Sequence, residues 1–398
     1  MKILIIHEID WINKVPYEPH HLSELFSIAG HDVFVIDCAK PDLHKVFKGI
    51  FTSKISHFNR LYSNASITLI HPPSLLLKGL NRATSFLSCK KVIRDTVKKN
   101  NIDIIFLYGV PTNGLQALSV AHDLKIPIVF RELDISHQFV NVPILKQITK
   151  IIEKNVISNA TKVYSCTPGL QKYSIQMGAQ EKNSEYFPLG INTNIFKPTK
   201  KDNVLAESLG IKNTDIVLIF VGTLYPFSGL EYIIENFSII QNKIPEIKLL
   251  IVGGGPNYNK IQDLVIKQNL QSSVILTNFV SQKVLLSYIG LADLCLNPFE
   301  TNEITNQILP IKIIEYMACK KPVLSTPLTG TKELLPSKNY GIIYSELVDF
   351  PKTIINLLSD MKSLSELSEN GYSYSHKNHD LFVLSDTLIS KLEKLISK

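Results

Sequence analysis

The residues best suited to chemistry sit in loops that each follow a short apolar segment. The stretch 306–323, NQILPIKIIEYMACKKPV, reads as a loop, a short helix and the start of a strand. Pro310 suits the first helical position, because it lacks the N–H that would be orphaned there. Glu315 then falls in the second turn of a helix that is apolar on nearly every other side. Its two oxygens accept two hydrogen bonds at once, the pattern that a vicinal diol such as ribose offers. A local explanation is also open: an acid near a helix start is stabilised by the helix dipole, by ~0.3–1 kcal/mol.

Three further loops offer backbone rather than charge. VGGGPNYNKIQDL (252–264) places Gly253 and Gly254 between a strand and a helix, where a ligand can approach the main chain and a helix start attracts anions. The dinucleotide fingerprint is not met, since its third glycine position falls on Pro256 or Tyr258, and a tight turn would use the same glycines. FVGTLYPFSGLEYI (220–233) carries Gly222 into a second such loop. In TNFVSQKVL (277–285), backbone groups around Phe279 and Val280 are placed to pair with a base edge. His20 and His21 are weaker candidates, as loop histidines are usually solvated.

The elements that must position these loops follow one rhythm: short apolar strand, loop, helix. Strands are expected at 2–7, 32–37, 66–70, 102–109, 126–133, 162–167 and 185–190, and again at 216–222, 247–255, 274–279, 293–299, 321–327 and 341–345. Most are continuous apolar runs, so each sheet should be parallel and covered by helices on both faces. Residues 229–244 read as one amphipathic helix. The rhythm breaks at PLGINTNIFKPTKKDN (188–203), taken as a linker. The expected fold is α/β, with two doubly wound parallel-sheet (Rossmann-like) domains facing a cleft: residues 1–190, residues 191–370, and a C-terminal helix at 371–398 that packs back on the first domain. Ligands of such sheets bind at the carboxyl ends of the strands, which are the loops above.

The totals agree with this size and class. A chain of 398 residues is too long for one ordinary core, and 45% hydrophobic with 19% charged residues excludes disorder. No apolar run approaches the ~18–20 residues that span a bilayer, and MKILIIHEID reads as a strand rather than a leader. Five scattered cysteines without a CxxC pair favour neither zinc nor disulfides, and fit a reducing cytoplasm. The net charge of +7 is uneven: residues 43–100 hold eleven Lys and Arg against Asp95, a local +10 that leaves −3 elsewhere. Interleaved with Phe47, Ile50, Phe51, Phe58 and Phe86, these suit either an anionic membrane surface or a plain solvated face. Nucleic acid is disfavoured, because no binding module accompanies the charge.

LPIKIIEYMACKKPVLSTPLTGTKELL (309–335) resembles the nucleotide-binding signature of the family 4 retaining glycosyltransferases of the two-domain GT-B fold. AGHDVFVI (29–36), SCTPGLQKYSIQMGA (165–179), FPLGINTNIFKP (187–198), FVGTLYPFSGLEYI, LLIVGGGP and ADLCLNPF follow in the family's order. The resemblance implies a nucleotide-sugar donor, a UDP-sugar or GDP-sugar, in the C-terminal domain with Glu315 on its ribose. It implies transfer of a hexosyl group with retention, with no cofactor and no metal, to a glycan, lipid-linked or other membrane-proximal acceptor. The enzyme would be cytoplasmic, peripheral on the inner face of the membrane. It also implies that Asp134 and His137, after the strand VFREL, touch the donor sugar.

Several positions depart from the family. Gln307 stands where the first of its paired glutamates belongs, with Glu303 as a substitute from a differently shaped loop. Thr223 and Ser228 replace the two basic residues that grip the diphosphate. A charge-assisted hydrogen bond contributes ~1.5–3 kcal/mol, so both losses matter unless Lys312 or Arg131 compensates. The departures keep two other readings open: a catalytically impaired partner subunit of the same fold, and a nucleotide-sugar epimerase.

Overall fold

The computed structural model describes residues 1–38, 49, 51–77 and 80–397, and of residues 282 and 283 the backbone. Lys45, Lys48 and Lys78, with Phe47 and Ile50, lie outside the described residues. The chain divides into two compact units: Met1–Leu189 with Phe382–Lys398, and Gly190–Leu381.

The first unit is built on strands β1 (Lys2–Ile6), β2 (Asp32–Ile36), β3 (Ser53–Phe58), β4 (Ile67–His71), β5 (Ile104–Leu107), β6 (Ile128–Glu132), β7 (Lys162–Ser165) and β8 (Ser184–Tyr186). They form one sheet in the order β3-β4-β2-β1-β5-β6-β7-β8. Its interior strands are parallel and apolar; β1 registers Leu4 against Phe34 on one side and Ile105 on the other. One expectation is corrected here: the sheet is not wholly parallel. β3 pairs antiparallel with β4, with a register shift between Ile55 and Phe58. SKISHF is exposed along most of its length, so it lacks the apolar run that marks a strand covered on both faces.

The second sheet comprises β9 (Ile216–Val221), β10 (Ile247–Val252), β11 (Val274–Leu276), β12 (Leu294–Asn297), β13 (Val323–Ser325) and β14 (Ile342–Tyr344), all parallel, in the order β11-β10-β9-β12-β13-β14. Successive side chains leave opposite faces of a strand, and both faces are buried. Leu218 and Phe220 enter one core with Leu249 and Ile251. Val217, Ile219 and Val221 enter the other with Leu250, Val252 and Met317.

Two helix expectations are also revised. Residues 229–244 form two short helices, Leu230–Glu235 and Phe237–Gln241, because the backbone leaves helical geometry at Asn236 (φ −105°, ψ 10°). The expected boundary at 371 falls inside the helix Met361–Asn378, which belongs to the second unit; the return to the first begins at Phe382. There Leu388 and Leu392 are fully buried, and Lys391 pairs with Glu185 at 2.5 Å. Among the described residues, no helix is long and apolar enough to cross a membrane.

Candidate functional site

In the second sheet the chain leaves β9 in one direction through β10 and β11, then returns to lay β12 on the other side of β9. Loops diverge at such a switch point, and open parallel sheets bind their ligands there. Three of these loops are locked together by glycine. Gly253 (φ +154°) lies so close to Gly222 that a Cβ there would meet the Gly222 carbonyl oxygen at 1.9 Å. Gly222 N donates to Val252 O (2.9 Å), and Leu224 N to Gly254 O (2.8 Å). A Cβ on Gly254 would meet Asn278 Oδ1 at 2.2 Å and the ring of Phe279 at 2.9 Å. Only bare backbone lets these turns stack.

The helix Ile311–Ala318 begins beside this platform. Pro310 is the cap rather than the first helical residue: its ψ of 115° is extended, and its carbonyl accepts the bond from Ile313 N at 3.0 Å. From Lys312 to Cys319 every residue is buried except Glu315, which is half-buried. Among the described residues, none hydrogen-bonds its carboxylate. Burial pushes that carboxyl up to about 7, against the opposing pull of the Lys312 charge.

One turn earlier, Lys312 is buried and its Nζ has no hydrogen-bond partner. The ammonium lies 3.7 Å from the ring centre of Phe220 and 4.2 Å from that of Phe299, within cation–π range. Loss of water drives its pKa well below the ordinary lysine value, with Glu315 pulling the other way. A Cβ on Gly222 would stand 3.2 Å from this Nζ. An ammonium and a carboxylate, neither hydrogen-bonded within the described residues, thus share one helix end beside a bare-backbone loop. That arrangement can hold an anion and a diol together.

Other expected site residues lie elsewhere or are already engaged. Arg131 is corrected as a phosphate contact: it is fully buried, bonds Glu18 through Nε (2.8 Å) and Nη2 (2.7 Å), and gives its remaining donors to the carbonyls of Tyr164, Phe187 and Pro188. Such a bidentate pair secures the interior of the first unit. Ser228 is corrected likewise: it is fully buried with an unpaired Oγ, because Gly229 (φ +70°) turns the chain tightly against Pro298 O. Phe279 N is taken by Asn278 Oδ1 at 2.7 Å, which leaves the Phe279 carbonyl and the Val280 amide as base-edge groups of that loop. Thr223 is half-buried beside Gly255. Gln307 is half-buried, its carbonyl oxygen 2.3 Å from where a Gly330 Cβ would stand.

In the first unit, Asp134 is exposed, and the protein crowded around it raises its carboxyl to about 6. His137 is nearly buried; its Nδ1 meets Glu153 Oε2 at 2.6 Å, and Tyr173 donates to the same oxygen at 3.2 Å. That partner fixes the ring and directs Nε2 away from Glu153. His20 and His21 are not solvated loop residues. Both lie buried on the helix Glu18–Ile28, and desolvation lowers each to about 4.

Sequence reasoning missed Phe220 and Phe299 as the walls of the Lys312 slot, because both read as ordinary core. It also missed Asn306, whose Oδ1 accepts from Thr329 N (3.0 Å) and Oγ1 (2.9 Å) and so fastens the 302–307 loop to the helix Thr329–Leu334. Residues 23 apart carry no local signal. Among the described residues, no three His, Cys, Asp or Glu side chains converge as a metal site requires.

Two Rossmann-like units in one chain define the GT-B class. Residues 202–374 match the family model described as glycosyl transferases group 1. The chain is 22% identical to the alpha-monoglucosyldiacylglycerol synthase of Streptococcus pneumoniae, over 87% of this chain and 79% of that protein. It is 20% identical to the alpha-monoglucosyldiacylglycerol synthase of Acholeplasma laidlawii, over 88% and 86%. Among solved structures, sucrose-phosphate synthase from Thermosynechococcus elongatus superposes with a TM-score of 0.80 at 17% identity, over 100% of this chain and 99% of that one. HepE of Anabaena, solved with UDP, superposes at 0.75 with 15% identity, over 99% and 100%. The whole chain therefore has the GT-B fold, and the part of its second unit at 202–374 is similar to the group 1 glycosyl transferases.

Proposed function

We propose that the protein transfers a sugar from a nucleoside diphosphate to a hydroxyl of a glycan or lipid-linked acceptor, with retention and without a metal. The observation that carries this reading is Glu315: within Lys312–Cys319 it alone keeps access to solvent, and one turn away lies the Lys312 ammonium, which has no hydrogen-bond partner and draws on the Glu315 charge. In this reading Glu315 accepts both ribose hydroxyls. Gly222, Gly253 and Gly254 bring bare backbone to the diphosphate, Lys312 supplies its cation, and the Phe279 carbonyl with Val280 meets the base. Asp134 and His137 are the proposed contacts of the transferred sugar.

Transfer breaks the bond from the anomeric carbon to the phosphate oxygen and forms one to the acceptor oxygen. The acceptor's proton passes to the departing diphosphate, so stabilising that group is the protein's main task. Thr223 and Ser228 bring no charge, and a second reading follows from them: a nucleotide-binding partner protein without turnover.

Calorimetric titration with UDP and GDP, followed by donor hydrolysis and transfer assays, separates these. Glu315→Ala should weaken nucleotide affinity about ten- to hundredfold, since hydrogen bonds to a charged group contribute ~1.5–3 kcal/mol. Unchanged affinity would defeat the assignment. Binding without turnover across a panel of donors and acceptors would favour the partner protein.

A further inference from the structure

The helix Pro143–Asn159 carries two apolar stripes. One is satisfied: Ile152, Val156 and Ile157 enter the core of the first unit. The other is not. Ile144, Ile148 and Ile151 recur at i, i+4 and i+7, a second ridge along the helix, and Ile144 and Ile151 are 73% and 68% exposed. Phe139, Val142 and Leu145 extend the same exposed surface across the turn before the helix. A contiguous exposed apolar surface on a folded unit marks a place where something else docks.

Charge selects what docks. Lys150 and Lys154 flank the outer ridge on its polar side and are exposed; Lys146, one turn earlier, is half-buried. The helix has a single acid, Glu153, and its carboxylate is turned inward onto Ser136 N and His137. The outer surface is therefore apolar and basic, with no acid of its own helix to offset it. A second copy of the chain fits poorly, because a two-fold interface would set these lysines against their own images. An anionic bilayer fits well: isoleucines enter the acyl boundary while lysine stems lift their charges to the headgroups.

We propose that residues 139–154 form a docking surface for anionic membrane. The surface differs from the basic segment 43–100, where Arg82 is bonded to Glu8 and Arg94 to Asp123. The inference extends the proposed acceptor class, but its readout is independent of the nucleotide site, so the two proposals fail separately.

Flotation of the full chain with phosphatidylcholine vesicles, with and without about a third phosphatidylglycerol, tests it. Binding is expected on the anionic vesicles. Combined Lys150→Gln and Lys154→Gln should lower the partition coefficient about ten- to hundredfold. Combined Ile144→Glu and Ile148→Glu should abolish it. Hydrogen exchange across Met1–Leu189 in each variant should match the parent, which shows that the first unit is intact. Equal recovery on both vesicle types, no binding to either, or binding that both variants retain would overturn the proposal. So would a dimer, seen by light scattering, that Ile144→Glu and Ile148→Glu dissociates in a chain that floats with no vesicle.

Discussion

Lys312 is a buried ammonium that the folded chain leaves without a hydrogen-bond partner. Desolvation without pairing is costly, and two aromatic faces return only part of that cost. A binding role and a structural role therefore separate cleanly. Lys312→Met keeps the length of the side chain and removes the charge from the Phe220–Phe299 slot. It should raise stability by about 1–3 kcal/mol, read by thermal or denaturant unfolding. The same variant should weaken diphosphate affinity about tenfold or more, read by calorimetry. A purely structural lysine would lose stability and leave affinity alone. Glu315 was legible in the sequence because a lone acid in an apolar helix is conspicuous. The slot was not, because Phe220 sits on β9 and Phe299 in the loop after β12, and they meet only when those two strands pair.

Among the elements, the apolar strands were readable to within two residues at their starts, since strands covered on both faces must be continuously apolar, while those expected at 185–190, 247–255 and 274–279 end three or four residues sooner. What failed were elements lacking that signature: the exposed edge strand β3, and the break at Asn236 within an otherwise periodic run. The glycine loops show the same division. Three consecutive glycines announce a turn, but only the paired strands show that Gly253 abuts the Gly222 carbonyl. Gly253→Ala combines a left-handed φ with a contact at 1.9 Å to backbone, and should cost about 2–4 kcal/mol of stability along with nucleotide binding. Gly210→Ala supplies the contrast. Its φ is +67° with nothing within 4 Å, so about 1 kcal/mol and unchanged affinity are expected. Thermal unfolding and nucleotide titration of the two variants read both outcomes.

At the scale of the whole molecule, the chain builds the first unit from both of its ends. Removal of residues 382–398 strips Leu388 and Leu392 from that unit's interior. The lost Lys391–Glu185 pair is partly exposed and matters less. Hydrogen exchange should then quicken across Met1–Leu189 and change little across Gly190–Leu381, while nucleotide affinity, a property of the second unit, persists. Loss of protection in the second unit alone would contradict this division.

By itself the sequence determined the α/β class, the two-sheet plan and the chemistry of the 306–323 stretch, because burial on both faces and local turn chemistry are written in neighbouring residues. Tertiary structure alone decided that Arg131 is committed to Glu18, that Ser228 is sealed in, and that Lys312 stands unpaired beside Gly222. Those outcomes depend on which distant side chains share one small volume, and that is settled by strand order and packing rather than by spacing along the chain.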